Sequence, residues 1–313
     1  MNPQDMDTQQ LNQGFIEIME RGMEKQASKA GARYVRMKLR QEGIMRRYFG
    51  DIERVTEHDD RYQIDQENTD TGYMLLEKEP DSYAMRLTAK GQPDGHYIQG
   101  NKYKVPFEKF TSPKFEKNEM ELRNIRMPIT DVIRQNVVMD MQEEEDSKFF
   151  EKLNGAIDET GQIYYTTEEY FNKDDVTTFL NLIDINRLRT DSIVMHRATL
   201  NDIFQWDHLD VGDLITKVIE NGVEREKFAG KELITSINTD VIKPGEIYGL
   251  TKPSFLGDSF DLGDPKFWMQ KKEDMFRMSS WYYNGFNIGN TKGVSKMVIS
   301  GTEAAEIEQP GTE

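Results

Sequence analysis

A stripe of apolar residues near the start of the chain limits the architectures open to it. Ile16, Met19, Met23, Ala27, Ala30, Tyr34, Met37, Ile44 and Tyr48 recur at steps of mostly three, four or seven, which places them on one face of a helix. A helix from about Phe15 to Tyr48 would run roughly 50 Å. Gly22, Gly31 and Gly43 weaken it, so breaks are expected there. A helix of that length with one apolar face must lie on something, either its own domain or a neighbouring chain. Beside the apolar stripe runs a second one, Lys25, Lys29, Arg33, Arg36 and Arg40. It is the clearly basic feature of a chain with a formal net charge of -16. It reads as a solvated face that pairs with acidic partners or, more sharply, as a contact with nucleic acid.

After this helix the pattern changes. Tyr62-Gln63-Ile64, Tyr73-Met74-Leu75-Leu76 and Tyr83-Ala84-Met85-Arg86-Leu87 read as strands, punctuated by the turn pairs Pro80-Asp81 and Asp94-Gly95. Between Lys90 and Lys104 stand Gly91, Pro93, Gly95 and Gly100 with few large apolar residues. That stretch reads as the tip of a hairpin that leaves the body, because it has little to bury, and such an arm acquires order from a partner. Lys90, Asp94, His96, Lys102 and Lys104 are its candidate contact residues.

A second long helix is expected to start at Met127-Pro128-Ile129-Thr130-Asp131, where the missing N–H of proline costs nothing. Its apolar face carries Ile129, Val132, Ile133, Val137 and Met141, then Phe149, Phe150 and Leu153, and Asn154-Gly155 would cap its end. The acidic run Glu143-Glu144-Glu145-Asp146 reads as a solvated face. Beyond residue 163 helical and strand-like pieces alternate: Val176 to Ile183 helical, Ser192 to Met195 a strand, Leu200 to Phe204 helical. Leu233 to Ile237 and Glu246 to Leu250 read as strands. The segment from Asp274 to Ser300 reads as long strands joined near Gly289-Asn290. Residues 1–12 and 301–313 are polar and read as tails.

Chemistry is hard to find. The chain has no cysteine, which removes disulfides, thiolate metal sites and cysteine nucleophiles. His58, His96, His196 and His208 show no metal-ligand spacing, and neither HExxH nor GxSxG occurs. Phe228-Ala229-Gly230-Lys231-Glu232 fails as a phosphate loop, because Arg225 stands where a glycine is needed and Glu232 where Ser or Thr is needed. Asp59-Asp60 and Asp174-Asp175 are the pairs worth considering for a divalent cation, and Asp174-Asp175 reads better as a helix start. No apolar run approaches the roughly 20 residues of a membrane span, and no cofactor is implied. With 36% hydrophobic and 31% charged residues, the composition is that of a polar-surfaced globular protein. Its acidity argues against a dedicated nucleic-acid reader.

The order of these pieces resembles the major capsid proteins of tailed bacteriophages, the Hong Kong 97 fold family. Three stretches carry the resemblance. Lys104-Val105-Pro106-Phe107-Glu108-Lys109 leading to Met127-Pro128-Ile129-Thr130-Asp131 looks like the return strand of the extended loop feeding the spine helix. Ile193-Val194-Met195-His196 with the helix after it looks like a step of the axial domain. Trp281 through Val298, with Gly285-Phe286-Asn287-Ile288-Gly289-Asn290, looks like the closing segment. The resemblance implies an α+β fold: an N-terminal helical arm, an extended β-hairpin loop, a spine helix and a mixed α/β axial domain.

On that reading the chain divides into an arm at 1–50, an extended loop with flanking strands at 51–126, and a peripheral region with the spine helix at 127–165. An axial domain at 166–267, peripheral closing strands at 268–300 and an acidic tail at 301–313 follow. The implied function is that of a non-enzymatic subunit of an icosahedral capsid, found in the virion and assembled in the host cytoplasm. It would self-assemble as hexamers and pentamers around double-stranded DNA held without sequence specificity. The short segment before the first helix suggests a separate scaffold protein; a portal and a cement protein are further implied partners. No covalent link between the arm lysines and Asn284, Asn287 or Asn290 is expected. A nanocompartment shell carrying enzyme cargo is the rival reading, and a metal-dependent nuclease a more distant one.

Overall fold

The computed structural model describes residues 24–50, 52–64, 72–77, 102–118, 120, 133, 137–166, 171–203, 226–228 and 230–299. The expected helix from Phe15 enters this range as α1 (Glu24–Glu42) and α2 (Ile44–Phe49). Of the expected breaks, Gly43 is one: its ψ of 142° is extended and ends the helical run. Gly31 is not. It lies inside α1, where a Cβ would overlap the ring of Phe267, so the missing side chain serves close docking rather than a break. Gly22 lies outside the described residues.

Helix α1 buries Ala27, Gly31 and Val35, one residue per turn, against β12 (Lys266–Lys272). That strand belongs to an eight-stranded sheet. Its main path runs β1 (Glu53–Val55), β11 (Gly257–Leu262), β13 (Met275–Ile288), β4 (Lys102–Thr111), β3 (Gly72–Glu77) and β2 (Tyr62–Ile64), with β12 and β5 (Phe115–Asn118) also paired to β13. The 14-residue β13 is the spine of this sheet, pairing with β11, β12, β4 and β5 along its length. Gly285 lets it pass β4 closely, since a Cβ there would stand 2.8 Å from the carbonyl oxygen of Pro106.

A second sheet has six strands in the order β6 (Ile163–Tyr165), β14 (Val294–Val298), β10 (Glu246–Leu250), β7 (Ser192–His196), β9 (Lys231–Ser236) and β8 (Glu226–Phe228). All five residues of β7 are buried, as expected of a central strand covered on both faces. Helices α4 (Lys173–Asp184) and α5 (Arg197–Ile203) accompany it, and Phe179 of α4 packs with Ile193, Met195 and Ile247. The short α6 (Pro253–Leu256) links β10 to β11.

The closing segment has a strand, a turn and a last strand, but the two strands part company. Gly289 and Asn290 both donate from the backbone to Leu256 O at 2.9 and 3.0 Å. Asn290 then caps a 3-10 turn at Thr291–Gly293, and β14 joins β10 in the second sheet.

The second long helix, α3, is described over Met139–Thr160; its expected start at residues 127–132 lies outside the described residues. The expected cap at Asn154-Gly155 is wrong. The helix runs through both and ends at Gly161, whose φ of 66° is left-handed and whose N–H bonds Ile157 O at 2.7 Å. One hydrophobic cluster bridges the two sheets across α3, uniting Met45 and Tyr48 of α2, Phe149, Phe150 and Leu153 of α3, Val194, Ile234 and Tyr248 of the second sheet, and Phe286 of β13. The Phe149 ring touches those of Tyr48, Phe49, Phe150 and Phe286 at centroid distances of 5.6–6.0 Å.

Candidate functional site: a buried ionic joint and an exposed basic row

Helix α3 turns Gln142, Glu145, Asp146, Phe149, Phe150 and Leu153 inward, the spacing of a single buried face. Two of the four residues in the acidic run thus occupy positions that the helical period reserves for the interior. Glu143 and Glu144 are exposed, but Glu145 is 0% and Asp146 6% accessible. The expectation of a solvated acidic face is therefore corrected for half of the run.

Arg46, between the apolar side chains of α2, is the counter-charge. Its Nε and Nη2 donate to the two carboxylate oxygens of Glu145, both at 2.8 Å, and its Nη1 and Nη2 donate to the two oxygens of Asp261 on β11, both at 3.0 Å. Two bidentate pairs on one guanidinium engage both edges of its planar fork. Asn284 of β13 donates to Asp261 Oδ1 at 3.0 Å, and the Tyr282 ring lies 5.1 Å from the guanidinium carbon. Asp146 does separate work: its two oxygens accept the backbone N–H groups of Ile44 and Met45, both at 2.9 Å. It thereby satisfies donors that the first turn of α2 leaves free. Burial pushes the Asp146 carboxyl up to about 7, with Glu145 adding to the rise, while the two N–H groups and Arg46 oppose it. Burial likewise raises the Glu145 carboxyl, against the pull of Arg46.

This joint ties α2, α3, β11 and β13 together at one point. Among the described residues no group of three His, Cys, Asp or Glu side chains is placed to hold a metal. Asp59 is occupied by Arg61, which donates to it from its backbone N, Nε and Nη2. Asp175 accepts from the Tyr164 hydroxyl at 2.6 Å and stands in the first turn of α4, as the helix-start reading expects. His196 Nδ1 accepts the Ala198 N–H at 3.0 Å. The Gly230-Lys231 pair that failed as a phosphate loop lies where β8 turns into β9.

Lys25, Lys29 and Arg33 are exposed on α1. They lie two positions from Ala27, Gly31 and Val35, hence on the opposite side of the helix from the face packed against β12. Arg36 and Arg40 are on the same helix; their side chains lie outside the described residues. Lys102 and Lys104 are exposed on β4, opposite Glu77 and Leu75 of β3, and the Lys104 ammonium lies 4.4 Å from the Tyr73 ring centroid. Lys90, Asp94 and His96 lie outside the described residues. The three closing-segment asparagines are each engaged locally. Asn284 belongs to the joint, Asn287 donates to Lys104 O at 2.8 Å, and Asn290 caps the 3-10 turn. The joint itself was missed from sequence. Its signal was present, in acids at the inward positions of α3 and an arginine inside the apolar run of α2.

No protein-family model matches the sequence, and no curated protein does. Solved structures match by fold. The capsid structure of the cyanophage P-SCSP1u is 10% identical, with a TM-score of 0.54 over 82% of this chain and 88% of that one. A virus-like particle from Pyrococcus furiosus is 10% identical, with a TM-score of 0.54 over 86% and 98% of the two chains. A chain of the Mycobacterium phage Adephagia is 11% identical, with a TM-score of 0.50 over 83% and 94%. The mixed α/β architecture is that of the Hong Kong 97-type capsid fold.

Proposed function

We propose that this protein is the structural subunit of an icosahedral capsid that encloses double-stranded DNA, assembling as hexamers and pentamers of itself. The observation that carries this reading is a capsid fold spanning over four-fifths of the chain. The eight-stranded sheet with α3 serves as the peripheral body and the six-stranded sheet with α4 and α5 as the axial body. The arm that runs between β3 and β4 reaches a neighbouring subunit, with Lys90, Asp94, His96, Lys102 and Lys104 as contacts. Scaffold, portal and cement proteins complete the set of partners, and the virion is its place.

The basic row of α1 supports the choice of contents. Lys25, Lys29 and Arg33 present an exposed cationic line on a chain of net charge -16, suited to phosphates held without sequence reading. A nanocompartment shell carrying enzyme cargo is the second reading; a virus-like particle from Pyrococcus furiosus matches the fold with the same TM-score as the cyanophage capsid. Electron microscopy of the purified protein, with assay of the contents, tests both. Closed particles that hold DNA support the proposal; closed particles that hold a co-purifying enzyme replace it with the second reading. A dispersed monomer at high concentration overturns both.

A further inference from the structure

The six-stranded sheet brings a cavity and the exit of the chain to the same edge. β7 and β9 run parallel, with His196 beside Ser236, and β10 runs antiparallel to both β7 and β14. The C-terminal ends of β7, β9 and β14 therefore point the same way. Beyond the ends of β7 and β9 lies a cavity of about 290 Å³ that reaches across to α2 and the start of α3. Its apolar lining is Ile44, Met139, Ile237 and Val241. Among the described residues nothing covers Met139 and Ile237, which are 52% and 75% accessible. Arg47 and Arg197 are its cations, and Arg197 is exposed. Of its two acids, Asp146 accepts the Ile44 and Met45 N–H groups, and Glu143 stands exposed on α3. That placement directs an acidic occupant towards the Arg197 side.

Residues 300–313 follow Ile299 and lie outside the described residues. Their sequence holds Glu303, Glu306, Glu308 and Glu313 and no lysine or arginine. Its single large aliphatic residue, Ile307, stands between two of the acids. The exit is close to the cavity. Ile299 N–H bonds Gly245 O at 3.0 Å, and Gly245 N–H bonds Thr199 Oγ1 at 2.8 Å, two residues past Arg197. From β14 to β9 is three strand spacings, about 14 Å. The eight residues from Ile299 to Ile307 reach about 26 Å when extended, so the span is met with chain to spare.

We propose that the acidic segment after Ile299 folds back over the cavity of its own chain. Ile307 seats between Met139 and Ile237, and the carboxylates of Glu306 and Glu308 lie beside Arg197. Burial of apolar surface supplies the attraction, and the charges fix the orientation. The covalent tether holds the segment at a high effective concentration over the cavity, which offsets the cost of ordering it. The proposal concerns the single chain and does not rest on the capsid reading.

Disulfide trapping tests it, because the chain has no cysteine of its own to interfere. Ile307→Cys is combined with Ile237→Cys and, for comparison, with Tyr165→Cys. Tyr165 is 54% accessible and stands directly beside Val298 in the register, so a segment without a docking site would meet it at least as often as Ile237. The rate of intramolecular linkage is read on the dilute, unassembled full chain. Each rate is divided by that of the same surface cysteine with a neutral small disulfide, which removes differences in thiol reactivity. Linkage at Ile237→Cys is expected to be at least tenfold faster than at Tyr165→Cys, and Arg197→Glu should remove most of that preference. Equal rates at the two positions overturn the proposal, and so does a preference that R197E leaves unchanged. Linkage between two chains in place of linkage within one overturns it as well, since the segment then sits on a second copy. Should the Ile237→Cys chain fail to fold, Met139→Cys takes its place under the same criteria.

Discussion

Arg46 holds two carboxylates from different parts of the chain, 99 and 215 positions away, so its removal strands both. Arg46→Met is expected to lower stability by about 3–5 kcal/mol, the usual consequence of leaving one side of a buried ion pair unmatched. Denaturant unfolding measures it, and a loss under ~1 kcal/mol would mean that the fold does not depend on Arg46 to hold these elements together. The joint need not be a net source of stability, because desolvating its charges offsets much of their attraction. Its value lies in specifying which element meets which. Asp59 behaves with the opposite sign to Asp146. Hydrogen bonds from Arg61 hold its carboxyl down at about 2, so its contribution is present above the ordinary carboxylate range and is lost as pH falls towards 2. The difference in unfolding midpoint between wild type and Asp59→Asn should accordingly shrink between pH 5 and pH 2.

Helix α1 depends on one glycine. In an isolated helix Gly31→Ala would add up to about 1 kcal/mol, but here the new methyl group overlaps the Phe267 ring, itself only 5% accessible. The expected net result is a loss of protection across α1 in hydrogen exchange while β13 keeps its own. The turn between β12 and β13 offers the reverse case. Glu273 sits at φ 56° in the two-residue connection between Lys272 and Met275, a conformation better suited to asparagine or glycine. Glu273→Asn should raise stability by up to ~1 kcal/mol, read as a higher thermal midpoint; an unchanged or lower midpoint would show that the turn carries no strain worth relieving.

If the proposed assembly holds, apolar surface left exposed on the single chain is buried against copies of it. Ile64, Phe255, Ile185 and Ile237 are more than half exposed in the single chain. Obligate interfaces commonly bury about 2,000–5,000 Å², enough to cover such residues. If the basic row faces DNA, the double variant Lys25→Glu, Lys29→Glu should keep its circular dichroism and lose packaging or assembly. Normal, DNA-filled particles from that variant would reduce the row to a solvated helix face. With no cysteines and with its closing-segment asparagines engaged in local bonds, any shell built from this chain should dissociate to a single band near 36.5 kDa on boiling in denaturant. Higher bands that survive would count against non-covalent assembly.

Periodicity alone was enough to place α1 and α2 and to mark Gly43 as a break. It also identified β2, β3, β7, β9 and β10, because each carries its own apolar repeat within a few residues. It located the turn at Gly289-Asn290 for the same local reason. What it could not supply is any fact that depends on residues distant in the chain. Gly31 looks like a weak point until Phe267 is packed against it. Gly155 looks like a cap until the buried face of α3 is seen to continue through Ala156 and Ile157 to Gly161. β13 and β14 look like a pair, yet each finds better partners in a different sheet. Glu145 and Asp146 look like surface acids because charge normally seeks water. Only the meeting of α3 with Arg46 and with the first N–H groups of α2 provides the compensation that lets them stay inside.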